Sequence, residues 1–254
     1  MQPPTLVLVV PCYQEAARLR APAFLDFSAS HPNVSLLFVD DGSTDETWAA
    51  LQRIVSVAPD RIAAIRLESN RGKAEAVRVG TIEAIARRPT LVGFWDADLA
   101  TPLDAVDDFL AVTATRPDIE IVLGSRVMLM GRTIARTTLR HYLGRVFATA
   151  ASLSLDLPVY DTQCGAKVFR ATDAVAGLFA TPFKSTWTFD VELLARYLNT
   201  PAEDGRPIRQ ARIYELTLRT WHDIPRSKLR LADGVRSMIE LMAIWRARRA
   251  GRAA

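Results

Sequence analysis

The chain has 254 residues, of which 49% are hydrophobic and 24% charged, with a formal net charge of +4; that balance belongs to a folded globular protein and excludes a disordered one. Two cysteines, Cys12 and Cys164, build neither a disulfide framework nor a four-thiolate zinc site, and point to a reducing compartment. No stretch approaches the roughly 18–20 uncharged apolar residues of a spanning helix, and the apolar run that begins at Thr5 lacks the basic segment of a secretory signal.

Short apolar runs recur at Thr5–Val10, Val34–Val39, Ile62–Leu67, Leu91–Trp95 and Ile119–Leu123. Segments of helical spacing lie between them, among them Thr44–Ile54 and Asn70–Ile85. Strands alternating with helices predict crossover connections and an α/β fold, with one doubly wound, mostly parallel sheet covered by helices on both faces. Ligands of such sheets gather beyond the carboxyl ends of the strands. The residues there are Pro11–Glu15, Asp40–Asp45, Asn70–Lys73, Asp96–Asp98 and Gly124–Arg126. Every strand end is polar or charged, the pattern of a site.

The second half is less regular. Arg132–Leu155 reads as a long helix with Arg132, Arg136 and Arg140 four apart on one face. Asp161–Gly165 is a loop, followed by a short run Ala166–Phe169, a helix around Phe189–Leu198 and a strand over Ile213–Trp221. From Leu231 on, Leu231, Val235, Met238, Ile239, Met242 and Trp245 share a helical stripe, with arginines gathered after it. This predicts one domain over residues 1–230 and a basic amphipathic helix over 231–254 that suits a membrane-surface anchor.

Charge is unevenly spread. Residues 121–155 carry five arginines and no acid, and residues 226–254 carry eight basic residues against Asp233 and Glu240. The rest of the chain is net acidic. Two concentrated basic elements suggest an anionic partner: nucleic acid, a phosphate-bearing ligand or a membrane surface.

Asp96-Ala97-Asp98 directly follows an apolar run. Two carboxylates on alternate residues can both reach one oxygen-loving cation, which in turn holds a diphosphate. Asp40 and Asp41, ending a neighbouring run, suit hydrogen bonds to a base or ribose, while Ser43 or Thr44 suits a helix cap.

Taken together, Leu8–Glu15, Val39–Asp45, Asn70–Lys73 and Asp96–Asp98 resemble the family 2 glycosyltransferases of the GT-A fold. The later motifs Asp161–Lys167, Phe189–Glu192 and Trp221–Lys228 are similar to the polyprenyl-phosphate branch, nearest to the dolichyl-phosphate β-glucosyltransferases. The resemblance implies a nucleoside pocket lined by Pro11, Tyr13, Glu15 and Asp40 with Asp41 close by. It implies Lys73 and Ala97 beside the nucleotide sugar, and Asp98 with Asp96 as ligands of Mg²⁺ or Mn²⁺. Arg126, Arg140 and Lys228 would meet the donor and acceptor phosphates, and Asp161 and Gln163 the sugar. Asp161 either orients the sugar or acts as a base. Two departures stand out: related mannosyl enzymes carry glutamine where this chain has Ala100, and the motif's usual aromatic is Ala166 here.

The implied reaction is inverting transfer of a hexose, glucose from UDP-glucose, to polyprenyl phosphate. The enzyme would lie peripherally on the cytoplasmic face of a membrane. A phosphate monoester with a second pKa near 6 arrives as a ready nucleophile, so positioning, a metal and cations against phosphate repulsion suffice. One alternative is a soluble glycosyltransferase with a small phosphorylated or carboxylated acceptor. Others are a non-catalytic nucleotide-sugar module or a nucleic-acid binder; against the last, the basic residues are interleaved with aliphatics rather than stacking aromatics.

Overall fold

The computed structural model describes residues 5–135, 138–200, 210–222 and 231–250. The first strand, β1 (Leu6–Cys12), pairs in parallel with β2 (Val34–Asp40), which pairs with β3 (Ile62–Arg66). On its other edge β1 meets β4 (Leu91–Trp95), again in parallel. The sheet continues through an antiparallel strand, β7 (Ala166–Arg170), to β5 (Ile121–Ser125) and finally β8 (Ile213–Thr217), giving the order β3-β2-β1-β4-β7-β5-β8. The expected mostly parallel sheet is present, with β7 as its one reversed member.

Helices α1 (Ala21–Ser30), α2 (Thr47–Val57), α3 (Lys73–Ala86) and α4 (Val106–Thr115) make the crossovers. Because both faces are covered, β1 reads as unbroken apolar residues rather than an alternation. Val7 and Val9 enter the cluster with α3, Phe94 and Phe169. Leu6, Leu8 and Val10 enter the opposite one with Phe24, Phe38 and Trp95.

The long helix expected from Arg132 begins later. Thr133–Ala135 form a short strand, β6, parallel to β9 (Thr220–His222), and the helix α5 covers Thr138–Leu155. Arg132 therefore lies off the helix. The β-branched Thr133 and Ile134 favour a pleated conformation, and pairing with Trp221 and His222 overrides the four-residue spacing of arginines. The strand expected over Ile213–Trp221 is likewise divided, β8 serving the main sheet and β9 the small one.

Helices α6 (Asp173–Phe179), α7 (Phe189–Asn199) and α8 (Leu231–Arg249) complete the fold, with α8 packed on α5 and α7. Two arcs of α8 are apolar. The inner one buries Leu241 and Ile244, while Met238, Ile239, Met242 and Trp245 of the predicted stripe stand on the outer arc, 44%, 65%, 53% and 37% exposed.

Glu240 ties this helix to the rest. Its carboxylate accepts from the backbone N–H of Thr186, Trp187 and Thr188 and from both threonine hydroxyls, at 2.9–3.2 Å. Burial opposes its ionisation, yet the Thr188 and Thr186 donors outweigh that and hold the carboxyl below its ordinary range. A depressed acid stabilises above its unfolded pKa and loses that contribution as pH falls through the folded one. Glu240→Gln is thus expected to cost about 1–2 kcal/mol at neutral pH, a deficit that narrows in urea melts run below about pH 4.5. A deficit independent of pH would assign the effect to packing.

Candidate active site

The turn after β1 is held by the turn after β2. Gln14 and Glu15 donate their backbone N–H to the Ser43 and Thr47 hydroxyls at 3.0 and 2.8 Å, and Ala16 donates to Asp45. Pro11 and Tyr13 are half-buried on this rim, and Glu15 is buried in an ion pair with Arg18. Asp40 is fully buried; it accepts from Ser43 N–H at 3.1 Å and pairs with Arg66 at 3.1 Å. Arg66 also lies over the Trp48 ring and, with Gly42, Ser43, Thr44, Leu67 and Glu68, lines a cleft of about 510 Å³.

Asp41 has a different task. Both its oxygens accept backbone N–H groups, from Arg71 and Gly72, at 2.8 Å each. Burial nevertheless raises its pKa, those two bonds notwithstanding. The bonds fold the Asn70–Gly72 turn so that α3 opens with Lys73, whose ammonium pairs with the Asp96 carboxylate. Although burial works against it, the neighbouring Asp96, with Asp190 and Asp98, holds Lys73 above the ordinary lysine range.

Asp96 and Asp98 are half-exposed while Ala97 between them packs into the core. The space for Asp96 exists because residue 165 is glycine: a Cβ there would stand 1.9 Å from the Asp96 carboxylate. Gly165 also accepts Asp96 N–H at 3.0 Å. Asp98 accepts from Ala100 N–H at 3.0 Å, next to Leu99, whose φ is +54°. Burial first, and the Asp96 charge second, push the Asp98 carboxyl upward. Two hard oxygen donors, with Asp98 made costly to ionise by burial and by the Asp96 charge, suit a divalent cation, whose other ligands would be phosphate oxygens and water. Among the described residues no third acid, histidine or cysteine joins them.

Beyond β5, Arg126 and Asp161 meet as a two-point pair. The guanidinium donates at 2.6 and 2.8 Å, and Arg126 and Gln163 add their backbone N–H. The cost of burial notwithstanding, Asp161 holds Arg126 protonated well above its usual range. The loop carrying Asp161 is pinned by Glu215 of β8, which accepts from Tyr160 and Asp161 N–H at 2.7–3.0 Å. The Gln163 side-chain nitrogen is buried without a hydrogen-bond partner among the described residues, a donor in want of an acceptor. Trp221 stacks 5.4 Å from the Arg126 guanidinium.

Arg18, Arg66, Lys167, Asp190 and Glu215 carry no site role in the sequence reading. Lys167, fully buried, donates to Asp190 at 2.5 Å and to the Cys164 carbonyl at 2.7 Å, fixing the loop beside Asp96. The motifs Asp161–Lys167 and Phe189–Glu192 contain that pair, but only their meeting in space reveals it. Ala166 faces the core opposite fully buried Trp95, not the rim. The Arg140 side chain and all of Lys228 lie outside the described residues.

Residues 7–174 match the description "Glycosyl transferase family 2". The dolichyl-phosphate β-glucosyltransferase of Trichomonas vaginalis is 31% identical over 93% of this chain and 69% of its own length. That of Drosophila melanogaster is 36% identical over 74% of this chain and 61% of its own. The chain thus spans about two thirds of the length of these relatives. Among solved structures, glucosyl-3-phosphoglycerate synthase from Mycobacterium tuberculosis, in complex with Mn²⁺, UDP-glucose and phosphoglyceric acid, superposes with a TM-score of 0.66 at 17% identity, covering 95% of this chain and 80% of that one. The matched segment runs from β1 through the Asp41 turn, the Asp96–Asp98 pair and the Arg126–Asp161 pair, and this chain belongs to glycosyl transferase family 2.

Proposed function

We propose that the chain transfers glucose from UDP-glucose, with inversion, to the phosphate of a polyprenyl phosphate. The observation that carries this reading is the Arg126–Asp161 pair. Asp161, the carboxylate the sequence offers as a base, is gripped at both oxygens by a guanidinium; a base so neutralised serves poorly. An acceptor that arrives as an oxyanion needs none. Asp161 then acts by orienting Arg126, whose remaining surface meets phosphate, and the free Gln163 amide donates to a sugar hydroxyl.

On this reading Pro11, Tyr13 and the buried Asp40 border the nucleoside, and the Arg66 cleft lies beside the base. Asp98, with Asp96, would hold Mg²⁺ or Mn²⁺, which when bound supplies Lewis-acid stabilisation of the departing diphosphate. Lys73, now on Asp96, sits where it can pass to a phosphate oxygen. Arg18, drawn toward this rim by Glu15, adds a further cation.

The test is transfer of radiolabel from UDP-glucose into organic solvent with polyprenyl phosphate as acceptor, beside parallel arms with GDP-mannose and with 3-phosphoglycerate. Label entering the lipid phase only from UDP-glucose supports the assignment. Conversion of the label to a glucosylated phosphoglycerate, separated from UDP-glucose by anion exchange, would instead favour the small-acceptor enzyme.

Among the described residues no helix is long and apolar enough to cross a membrane. We propose that the outer arc of α8 seats the enzyme peripherally on the cytoplasmic face of a membrane. Met238, Ile239, Met242 and Trp245 would enter the interface, and Arg246 and Arg249 would meet anionic headgroups at about 1 kcal/mol each. Since Leu241, Ile244 and Glu240 bind α8 to the body, deleting the helix would damage the fold. Ile239→Glu with Met242→Glu is the cleaner variant. It is expected to lower co-sedimentation with anionic vesicles about tenfold or more while UDP affinity is kept; undiminished sedimentation refutes the seat.

A further inference from the structure

A groove of about 230 Å³ runs between α5 and residues 158–160, with Arg145, Ala148, Leu153, Pro158 and Tyr160 on its walls and buried Val159 as its floor. We propose that it holds the first isoprene units of the acceptor, with the Arg145 guanidinium near the phosphate end; the proposal rests on the reading of the acceptor as a polyprenyl phosphate.

The chemistry of the lining selects this occupant. Thr149 and Ser152 also border the groove, yet each hydroxyl is turned to the protein: Thr149 donates to the Arg145 carbonyl at 2.9 Å and Ser152 to the Leu157 carbonyl at 2.7 Å. The Tyr160 backbone N–H is held by Glu215. What faces outward is therefore methyl, methylene and ring surface. A peptide laid in this groove would leave its own N–H and C=O groups without partners, whereas branched hydrocarbon has none to lose.

Among the described lining residues one charge stands in this apolar setting. Arg145 lies 5.2 Å over the Tyr160 ring, a position that keeps a guanidinium in place with its edge free. One anchored cation beside a hydrocarbon groove complements an amphiphile with one anionic head. Leu153 and Tyr160 are 74% and 56% exposed, apolar area that such a tail would cover.

One lining residue adjoins the candidate active site in the chain. Tyr160 directly precedes Asp161, which grips Arg126. A lipid lying against Tyr160 would deliver its phosphate toward that pair, and its remaining length would run out along α5, the helix on which α8 packs.

Calorimetry on the full chain tests this with farnesyl phosphate, farnesol and inorganic phosphate, each against wild type, Ala148→Phe and Arg145→Gln. Farnesyl phosphate is expected to bind more tightly than either fragment. Ala148→Phe, which fills the groove, should weaken it about tenfold or more, and Arg145→Gln should weaken farnesyl phosphate but not farnesol. UDP titration of the same samples reports folding; if Ala148→Phe loses UDP, the surface variant Leu153→Asp takes its place. Unchanged farnesyl phosphate affinity in a variant that keeps UDP overturns the proposal. So does inorganic phosphate binding as tightly as the lipid, or a Leu153-dependent dimer in sedimentation velocity, which would assign the groove to a second copy. The function itself fails separately: no glucose transfer to any prenyl phosphate, with farnesyl phosphate still bound and Ala148→Phe still weakening it, would remove the reaction and leave the groove.

Discussion

Asp98→Asn is expected to reduce glucose transfer at least about a hundredfold, the scale of losing a major electrostatic contact to the reacting group, while leaving the protein as stable as before or more so. Both halves follow from its surroundings. Asparagine keeps an oxygen to accept the Ala100 N–H, so the turn is preserved. Burial and the adjacent Asp96 push the Asp98 carboxyl upward; a raised acid pKa means that ionisation weakens the fold at neutral pH. Removing the charge relieves that cost and removes the cation's ligand at once. Urea melts at pH 7, set beside turnover at several Mg²⁺ and Mn²⁺ concentrations, measure the two effects. Full turnover in excess chelator, or an active Asp98→Asn enzyme, would sink the metal assignment.

The second large effect concerns the Arg126–Asp161 pair. Its side chains are 16% and 10% exposed, and breaking such a pair takes a two-point counter-charge from a buried carboxylate. Arg126→Met should therefore cost about 3–5 kcal/mol of stability as well as transfer. Arg126→Met combined with Asp161→Asn removes both charges of the pair, so the double variant should regain much of that stability. If the pair serves only the fold, the double variant regains transfer too. The expectation is a stable enzyme that binds UDP and transfers nothing, with calorimetry supplying the nucleotide affinity and the label assay the turnover.

The sheet and most of its rim were legible from local pattern. Strands such as Leu91–Trp95 are short apolar runs because both faces are covered, and the polar residues that follow them mark the carboxyl edge. The roles of the two neighbouring aspartates were not legible. Asp40 and Asp41 are chemically alike, yet one pairs with Arg66 and the other closes a backbone turn thirty residues downstream. Such division is set by direction, which a sequence does not carry. The Lys167–Asp190 pair likewise joins elements far apart in the chain. At Arg132 a regular spacing of arginines mimicked a helix, because the partner strand that captures Thr133 and Ile134 lies almost ninety residues further on. The α8 stripe was legible as apolar and outward-facing, and Met238, Ile239, Met242 and Trp245 are exposed; the second apolar arc was not legible, for Leu241 and Ile244, outside the stripe, make the buried contact.

The reversed strand β7 has a consequence for how the chain is made. It lies between β4 and β5 and pairs with both. As the polypeptide is synthesised, β4 and β5 are complete long before residue 170 emerges, and each then has an open edge toward the gap. Bare edges rich in apolar residues are templates for pairing with other chains, and this interval is when aggregation competes with folding. A fragment ending after β5 would hold every acid of the nucleotide rim and still be unable to close its sheet. The residues proposed to grasp the nucleotide and those proposed to surround the acceptor are therefore inseparable as folding units, because the strand that follows the second group is the one that seals the first.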